Sequence, residues 1–331
     1  MENNYIYIPD KSQHEEFRCR VPLKDTEQVF VVDGKGEKMG LNLGKGEILP
    51  QMLQVIAVRS RQAQEDLSYS TDYILAERAQ ARVLLCSHTL SMEDFTTHES
   101  VNVELGKGAI LDMVVMQNEH NKSKHSTSFK VQMEEGAVFN LNVVTLHGGE
   151  ISNEIEVNLN GKGGECNVNG LYLADGQQKV STRVNIFHNV PECHSSQLFK
   201  GILDGESRTS FSGKIYVAKD AQKTEAYQAN NNLLASRTAK AYTQPHLEIY
   251  ADDVKCSHGA TVGSLNEDEL FYMRSRGIAK DEAKLLQQQA FAYAVLEKVA
   301  NESLRERLHS LLESRLRGEF SECANCSKHW C

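Results

Sequence analysis

Hydrophobic and polar residues alternate with a period of two along most of the chain between residues 41 and 265. Runs at 101–105, 155–159 and 214–217 place apolar side chains on one face, and Gly, Asn or Asp bound the runs. Such alternation is typical of β-strands that bury one face. The pattern therefore predicts a mainly β core over residues 41–265, preceded by a short lead-in over residues 1–40.

A glycine-containing unit recurs within this β region. Gly108, Gly136 and Gly163 occupy equivalent places in three copies of the unit, at spacings of 28 and 27 residues. A strand–turn–strand unit that recurs at a near-constant step is typical of a solenoid, in which each coil buries its apolar face on the next. We therefore predict a parallel β-helix. A β-sandwich with coincidentally similar hairpins is the alternative on pattern alone.

After residue 265 the hydrophobic period changes to 3.6, which predicts a C-terminal α-helical region over residues 266–331. Asn266 opens a capping-box sequence, Gly277 is a stop signal, and a second helix is expected over residues 280–300. A third helix follows another capping-box sequence at 303–306. The expected apolar faces are Ala283, Leu286, Ala290, Tyr293 and Leu296 in the second helix and Leu304, Leu308, Leu311, Leu312 and Leu316 in the third. We expect these helices to cover the last coil, whose strand edges would otherwise invite association.

Composition and charge narrow the classes of function. The 331 residues include 36 Lys and Arg against 45 Asp and Glu, so the net charge of −9 repels polyanions. No apolar run approaches the ~20 residues of a membrane span, and the first residues lack the pattern of a secretory signal. We therefore expect a cytoplasmic protein without nucleic-acid or membrane partners. The glycine-rich stretch 40–46 lacks the spacing and the Ser or Thr of a phosphate-binding loop, so ATPase activity is expected only in a partner.

The segment from His188 to Phe291 contains a distinctive stretch, Pro-His-Leu-Glu-Ile-Tyr-Ala-Asp-Asp-Val-Lys-Cys-Ser-His-Gly-Ala-Thr-Val-Gly at 245–263. Further characteristic stretches lie at 196–201, 211–217, 221–228, 232–236 and 269–278. With these motifs the segment resembles the SufB/SufD family, the scaffold proteins of the SUF iron–sulfur cluster assembly system. The Lys-Cys-Ser-His-Gly phrase at 255–259 resembles the SufD branch.

The resemblance implies a parallel β-helix with a C-terminal helical region, and a non-enzymatic scaffold that works with a SufB-like paralogue and the SufC ATPase. It implies no stably held cofactor, only a transient iron–sulfur cluster or iron shared with a partner subunit. The chain departs from the family in two places: the N-terminal region is shorter, and Ala279 stands where a helix-capping residue is common.

Cys256 and His258 are the main metal-site candidates. They lie two residues apart, so in a strand both point to one face, and a thiolate and an imidazole suit iron, zinc or a nascent cluster. Two ligands cannot complete a tetrahedral site, so the others must come from elsewhere or from another chain. The alternative is a partly buried Cys beside a hydrogen-bonded His; the resemblance favours the metal site.

The C-terminal tail holds a possible secondary metal site. Cys323 and Cys326 form a C-x-x-C pair, with His329 and Cys331 close by. Exposed thiols that bind metal only adventitiously are an equal alternative. Elsewhere, structural roles are expected for the pairs Cys86 with His88 and Cys193 with His194, and no role is assigned to three histidines placed in solenoid turns: His120, His125 and His147.

The resemblance also implies that residues 266–317 dock the SufC-like ATPase. Phe271, Tyr272, Arg274 and Arg276 are the candidate contacts, although the two aromatic residues could instead belong to the core. The final solenoid strands are expected to pair between subunits, in a heterodimer or a homodimer. Two other whole-protein hypotheses remain: a metal-independent structural dimerisation module and, less favoured, a solenoid carbohydrate-active enzyme.

Overall fold

Two parallel sheets run side by side through the β region, and consecutive strands alternate between them. The structure is a computed structural model that describes residues 23, 26–36, 39–60, 64–90 and 93–318. It also describes the backbone of two short antiparallel strands, β1 (Ile6–Tyr7) and β2 (Glu16–Phe17).

The nine-stranded sheet contains β3 (Thr26–Val32), β5 (Met52–Arg59), β7 (Gln80–Thr89), β9 (Ile110–Asn118), β11 (Val138–His147), β13 (Glu165–Ala174), β15 (His194–Leu203), β17 (Glu225–Leu234) and β19 (Lys255–Ser264). The eight-stranded sheet contains β4 (Gly40–Leu43), β6 (Asp66–Leu75), β8 (Phe95–Leu105), β10 (Ser123–Met133), β12 (Glu150–Leu159), β14 (Lys179–His188), β16 (Arg208–Val217) and β18 (Lys240–Ile249). Each strand pairs with the next of its own sheet, one coil further along. Because all these pairings are parallel, the predicted parallel β-helix is confirmed and the alternative of a β-sandwich built from hairpins is wrong. Strand β3 lies within the segment interpreted as a lead-in.

The recurring glycines form the turns of the coils. Gly108, Gly136 and Gly163 have φ values of +65°, +64° and +72°, a region that side chains with a Cβ disfavour. The Gly108 amide donates to the carbonyl of Glu135 in the next coil at 2.8 Å. The spacing in the sequence therefore reflects one turn per coil, with successive turns hydrogen-bonded to one another.

The inner faces of both sheets form a continuous hydrophobic core. Val101, Phe129 and Ile155 are in register on adjacent strands, and each is completely buried. Stacking like side chains in this way removes apolar surface from water at every coil, which is the main stabilising contribution.

Three helices follow the last strand: α1 (Glu267–Ser275), α2 (Lys280–Leu296) and α3 (Glu302–Leu316). The side chain of Asn266 caps α1 as predicted, and Gly277, with φ of +88°, follows its end. Ala279 precedes α2 without a side-chain capping bond. The cap of α3 is Asn301, not the sequence at 303–306, because the Asn301 side chain accepts from the Leu304 amide at 2.8 Å.

The helices do not cover the last coil, contrary to expectation. They pack against the outer face of the nine-stranded sheet, because that face is itself apolar. Its buried side chains include Ile56, Leu84, Met116, Val144, Leu171 and Ile202, which join the core of α2 and α3. Arg315 fastens α3 there, donating to the Leu146 carbonyl and to the Asp175 carboxylate at 2.8 and 2.7 Å.

The apolar face of α2 also differs from the predicted one. Its buried residues are Ala283, Leu285, Gln289, Ala292, Val295 and Leu296, whereas Leu286 and Ala290 are exposed. The leucine stripe of α3 is confirmed, with Leu304, Leu308, Leu311 and Leu312 buried. Within the part of the chain that the structure describes, none of the helices is long and apolar enough to cross a membrane.

Candidate functional site

The last coil of the solenoid is open. Strands β18 and β19 are the end strands of the two sheets, so each has a neighbour on one side only. Large apolar side chains at this end remain exposed, including Tyr242, Tyr250 and Val262. An end strand presents unpaired backbone donors and acceptors, which makes this edge suited to pairing with another strand.

Cys256 and His258 lie on the inner side of β19. They are in register with Ala226 and Gln228, whose side chains are buried inside the preceding coil. Cys256 is half-buried against the small apolar cluster that includes Ala226, while His258 is exposed. The strand thus holds both side chains at the mouth of the solenoid interior, the thiol deeper than the imidazole.

This pair is an incomplete metal-binding set. Across the described residues no group of three or more His, Cys, Asp or Glu side chains is arranged to hold a metal ion. Burial raises the pKa of the Cys256 thiol, an effect that the hydrogen bond with the Ala226 backbone only partly opposes. The thiol is therefore protonated at neutral pH until a cation displaces its proton.

Behind His258 the interior wall is polar, which the sequence reading missed. Gln228 donates from Nε2 to Oε1 of Gln197 at 2.8 Å, and both side chains are buried. A Cβ at Gly213 would collide with the Gln228 amide, so glycine makes room for that amide there. Glutamines that recur about one coil apart, 31 residues in this case, would have been the signal. Alternation within a strand, however, does not by itself separate inner from outer positions.

The first helix presents the exposed aromatic pair. Phe271 and Tyr272 are 74% and 59% exposed, so the alternative that they belong to the core is wrong. Arg276 donates to the Tyr272 hydroxyl at 3.1 Å and lies over its ring, and Arg274 is exposed nearby. Tyr272 also lines a groove of about 720 Å³ between α1 and α2, where Leu233, Met273, Leu286 and Phe291 form the apolar wall.

A second histidine site lies in the early coils. His125 is in strand β10, not in a turn, and its Nδ1 lies 2.8 Å from Glu119 Oε1. Its Nε2 lies 3.5 Å from Glu99 Oε2, and all three side chains are buried. Burial alone would lower the pKa of His125, but the two carboxylates outweigh it and raise the pKa to about 10. Conversely, the charge of His125 holds the pKa of Glu119 below its usual value against the effect of burial.

The remaining cysteines and histidines fall into place around these sites. Cys86 and Cys193 are buried, as their structural interpretation requires, and Cys193 lies 3.4 Å from the Gly161 carbonyl. His147, at the end of β11, is 2.6 Å from the Glu119 carbonyl through Nδ1. The tail candidates lie outside the described residues: Cys323, Cys326, His329 and Cys331.

These features define a parallel β-helix protein whose last coil is open and presents a thiol and an imidazole. Residues 59–291 match the family described as SUF system FeS cluster assembly, SufBD core domain. The chain belongs to this SufB/SufD family and is SufD-like.

Several curated relatives support this placement. The iron-sulfur cluster assembly protein SufD of Escherichia coli is 35% identical over 74% of the chain and 58% of that protein. An iron-sulfur cluster assembly SufBD family protein of Synechocystis is 31% identical over 73% of the chain and 53% of its own length. Protein ABCI7, chloroplastic, of Arabidopsis thaliana is 30% identical over 67% of the chain and 47% of its length. The chain thus spans about half the length of the curated relatives it matches.

Proposed function

We propose that this chain is a non-enzymatic scaffold subunit of SUF iron–sulfur cluster assembly, which builds and releases clusters together with a SufB-like paralogue and a SufC-like ATPase. One observation carries the proposal: Cys256 and His258 share the inner side of an end strand that is paired on one side only. Family membership supports it, because the E. coli relative is named for iron–sulfur cluster assembly.

The incomplete ligand set suits a scaffold better than a storage site. A thiolate and an imidazole from this chain leave two positions of a tetrahedral iron to another chain. If the edge of β18 and β19 pairs with the corresponding edge of a paralogue or of a second copy, the pair comes to lie at the junction. A site shared between subunits opens when they move apart, whereas a complete cage in one chain would retain the cluster.

The ATPase is proposed to dock on the helical region, residues 266–317. Phe271 and Tyr272 are exposed, with Arg274 and Arg276 beside them. Aromatic and arginine side chains are enriched at protein interfaces, and Tyr and Arg are enriched at binding hot spots. Replacing Phe271 and Tyr272 together by Ser should abolish co-purification of the ATPase without loss of folding. If the double variant still bound the ATPase, the docking surface would have to lie elsewhere on the chain.

The decisive experiment is anaerobic reconstitution of the full complex with His258→Ala. We expect the complex to assemble but the iron, the sulfide and the visible absorption of the cluster to fall sharply; Cys256→Ser should act in the same direction. The matched control is His246→Ala, since His246 is an exposed histidine of the neighbouring end strand with Glu248 at 3.2 Å.

Cluster formation at the wild-type rate in His258→Ala would remove this site and make the cysteines of the tail the leading candidates. If the wild-type complex assembled but formed no cluster under these conditions, the metal-independent dimerisation module would be favoured instead.

A further inference from the structure

A patch of positive charge covers three neighbouring strands near the open end, on the outer face of the eight-stranded sheet. Its outward positions are Lys179, Ser181 and Arg183 on β14, Arg208, Ser210 and Ser212 on β16, and Lys240, Tyr242 and Gln244 on β18. All nine side chains are exposed, and they include four cations and no carboxylate. This surface is termed the basic patch.

Charges on the preceding strands of the same face are balanced. Lys124 on β10 is in register with Glu150 on β12, and Lys130 is in register with Glu156. Opposite charges placed directly across neighbouring strands stabilise a sheet. The outer face at β10 and β12 therefore follows the ordinary rule for a solvated sheet surface.

The balance fails at the basic patch. Lys179 has Glu150 at 3.5 Å on one side, but on the other side it is in register with Arg208, which is in register with Lys240. Among the described residues neither Arg208 nor Lys240 has an ion-pair partner. Like charges directly opposite on neighbouring strands, ~4.8 Å apart, destabilise a sheet.

We infer that the basic patch binds an acidic segment of a partner protein. A local arrangement that lowers the stability of the fold, and that no other contact in the fold offsets, is expected at a binding surface. This proposal is independent of the cluster site, because the patch lies on the outer face of the other sheet.

The charge distribution favours a polypeptide over a nucleic acid. The net charge of −9 repels a long polyanion, and Glu150 and Glu154 border the patch on β12. Tyr242 is the one aromatic side chain among the nine, whereas single-stranded nucleic acids are usually held on several stacking rings. A short acidic segment contacts only the patch and avoids the surrounding negative field.

Two substitutions in one cross-strand row test the inference in opposite directions. Arg208→Glu makes the charges of this row alternate in sign from strand to strand. The melting temperature of the variant should therefore equal that of the wild type or exceed it. Lys124→Glu, the matched control outside the patch, places a second carboxylate opposite Glu150 and should lower the melting temperature. Both variants change the net charge equally.

Binding of a fluorescein-labelled oligo-glutamate peptide to the full chain, measured by anisotropy, completes the test. We expect Arg208→Glu to weaken binding about tenfold and Lys124→Glu to leave it within about twofold. Equal weakening in both variants, or a lower melting temperature in Arg208→Glu, would overturn the inference. Tighter binding of an oligouridylate of equal length, lost in Arg208→Glu, would assign the patch to nucleic acid instead.

Discussion

Two histidines on the inner side of the same solenoid have opposite surroundings. His125, in the early coils, is enclosed and lies between the carboxylates of Glu119 and Glu99 at 2.8 and 3.5 Å. His258, on the end strand, is exposed and has Gln228 as its register neighbour. The difference lies in position along the stack: a coil covered on both sides buries its polar groups among other coils, whereas the last coil leaves them accessible from outside.

Several charge-assisted contacts hold the enclosed site, although Arg59 Nε and Glu119 Oε2 have no hydrogen-bond partner there among the described residues. Arg59, also buried, donates to the carbonyls of Thr96 and Glu65 at 3.0 and 2.8 Å and to the Thr97 hydroxyl at 3.0 Å. Its guanidinium lies 4.6 Å from the centroid of the Phe95 ring. Such a network fixes the packing of the early coils. Burial therefore gives His125 a structural role, whereas His258 remains accessible.

The largest expected effect is on the enclosed site. Glu119→Gln removes the nearer carboxylate and leaves a buried imidazolium with only Glu99, so the free energy of unfolding should fall by about 3–5 kcal/mol. Urea denaturation measures this change. Glu154→Gln, which breaks the exposed pair with Arg183, is the control and should change stability little. A loss below ~1 kcal/mol in Glu119→Gln would mean that the cluster is not ion-paired.

A smaller effect is expected from pH. The pKa of His125 is raised to about 10 in the folded chain, against ~6.5 for an unfolded histidine. The folded state therefore holds an extra proton between these values. The stabilisation is complete below pH ~6.5 and is lost as pH rises through about 10, with a slope of at most ~1.4 kcal/mol per pH unit. Urea midpoints at several pH values test this, and Glu119→Gln should flatten the slope. An equally steep slope in that variant would assign the proton to another group.

Most of the architecture could be predicted from two sequence features, the glycine repeat and the stretch at 255–259 that resembles the SufD branch. The spacing of Gly108, Gly136 and Gly163 predicts stacked coils, because each glycine occupies a turn with positive φ that recurs once per coil. The phrase around Cys256 and His258 locates the pair on a late strand, and alternation places both on one face. Local sequence patterns of this kind predict the structure well because neighbouring coils repeat the same backbone conformation.

Contacts between residues far apart in the chain could not be predicted from the sequence. The apolar stripe of α3 predicts that the helix is packed, but not against which surface; only the outward apolar positions of the nine-stranded sheet decide that. His125 had no ligand spacing, since its partner Glu119 reaches it from outside its own strand and Glu99 from the neighbouring one. The buried ion pairs therefore depend on register, which a single sequence does not specify.

The smallest expected effect on stability is at the open end. His258 is exposed on a strand paired on one side only, and its side chain fills no cavity, so His258→Ala should change the free energy of unfolding by less than about 0.5 kcal/mol. The sharpest form of the test places it beside His125→Ala in the same urea series. Removal of the enclosed imidazole leaves Glu119 and Glu99 buried without their cation, and the midpoint of that variant should shift far to lower urea. Comparable losses in both variants would show that the fold itself holds His258 in place, which would contradict its assignment to an external ligand.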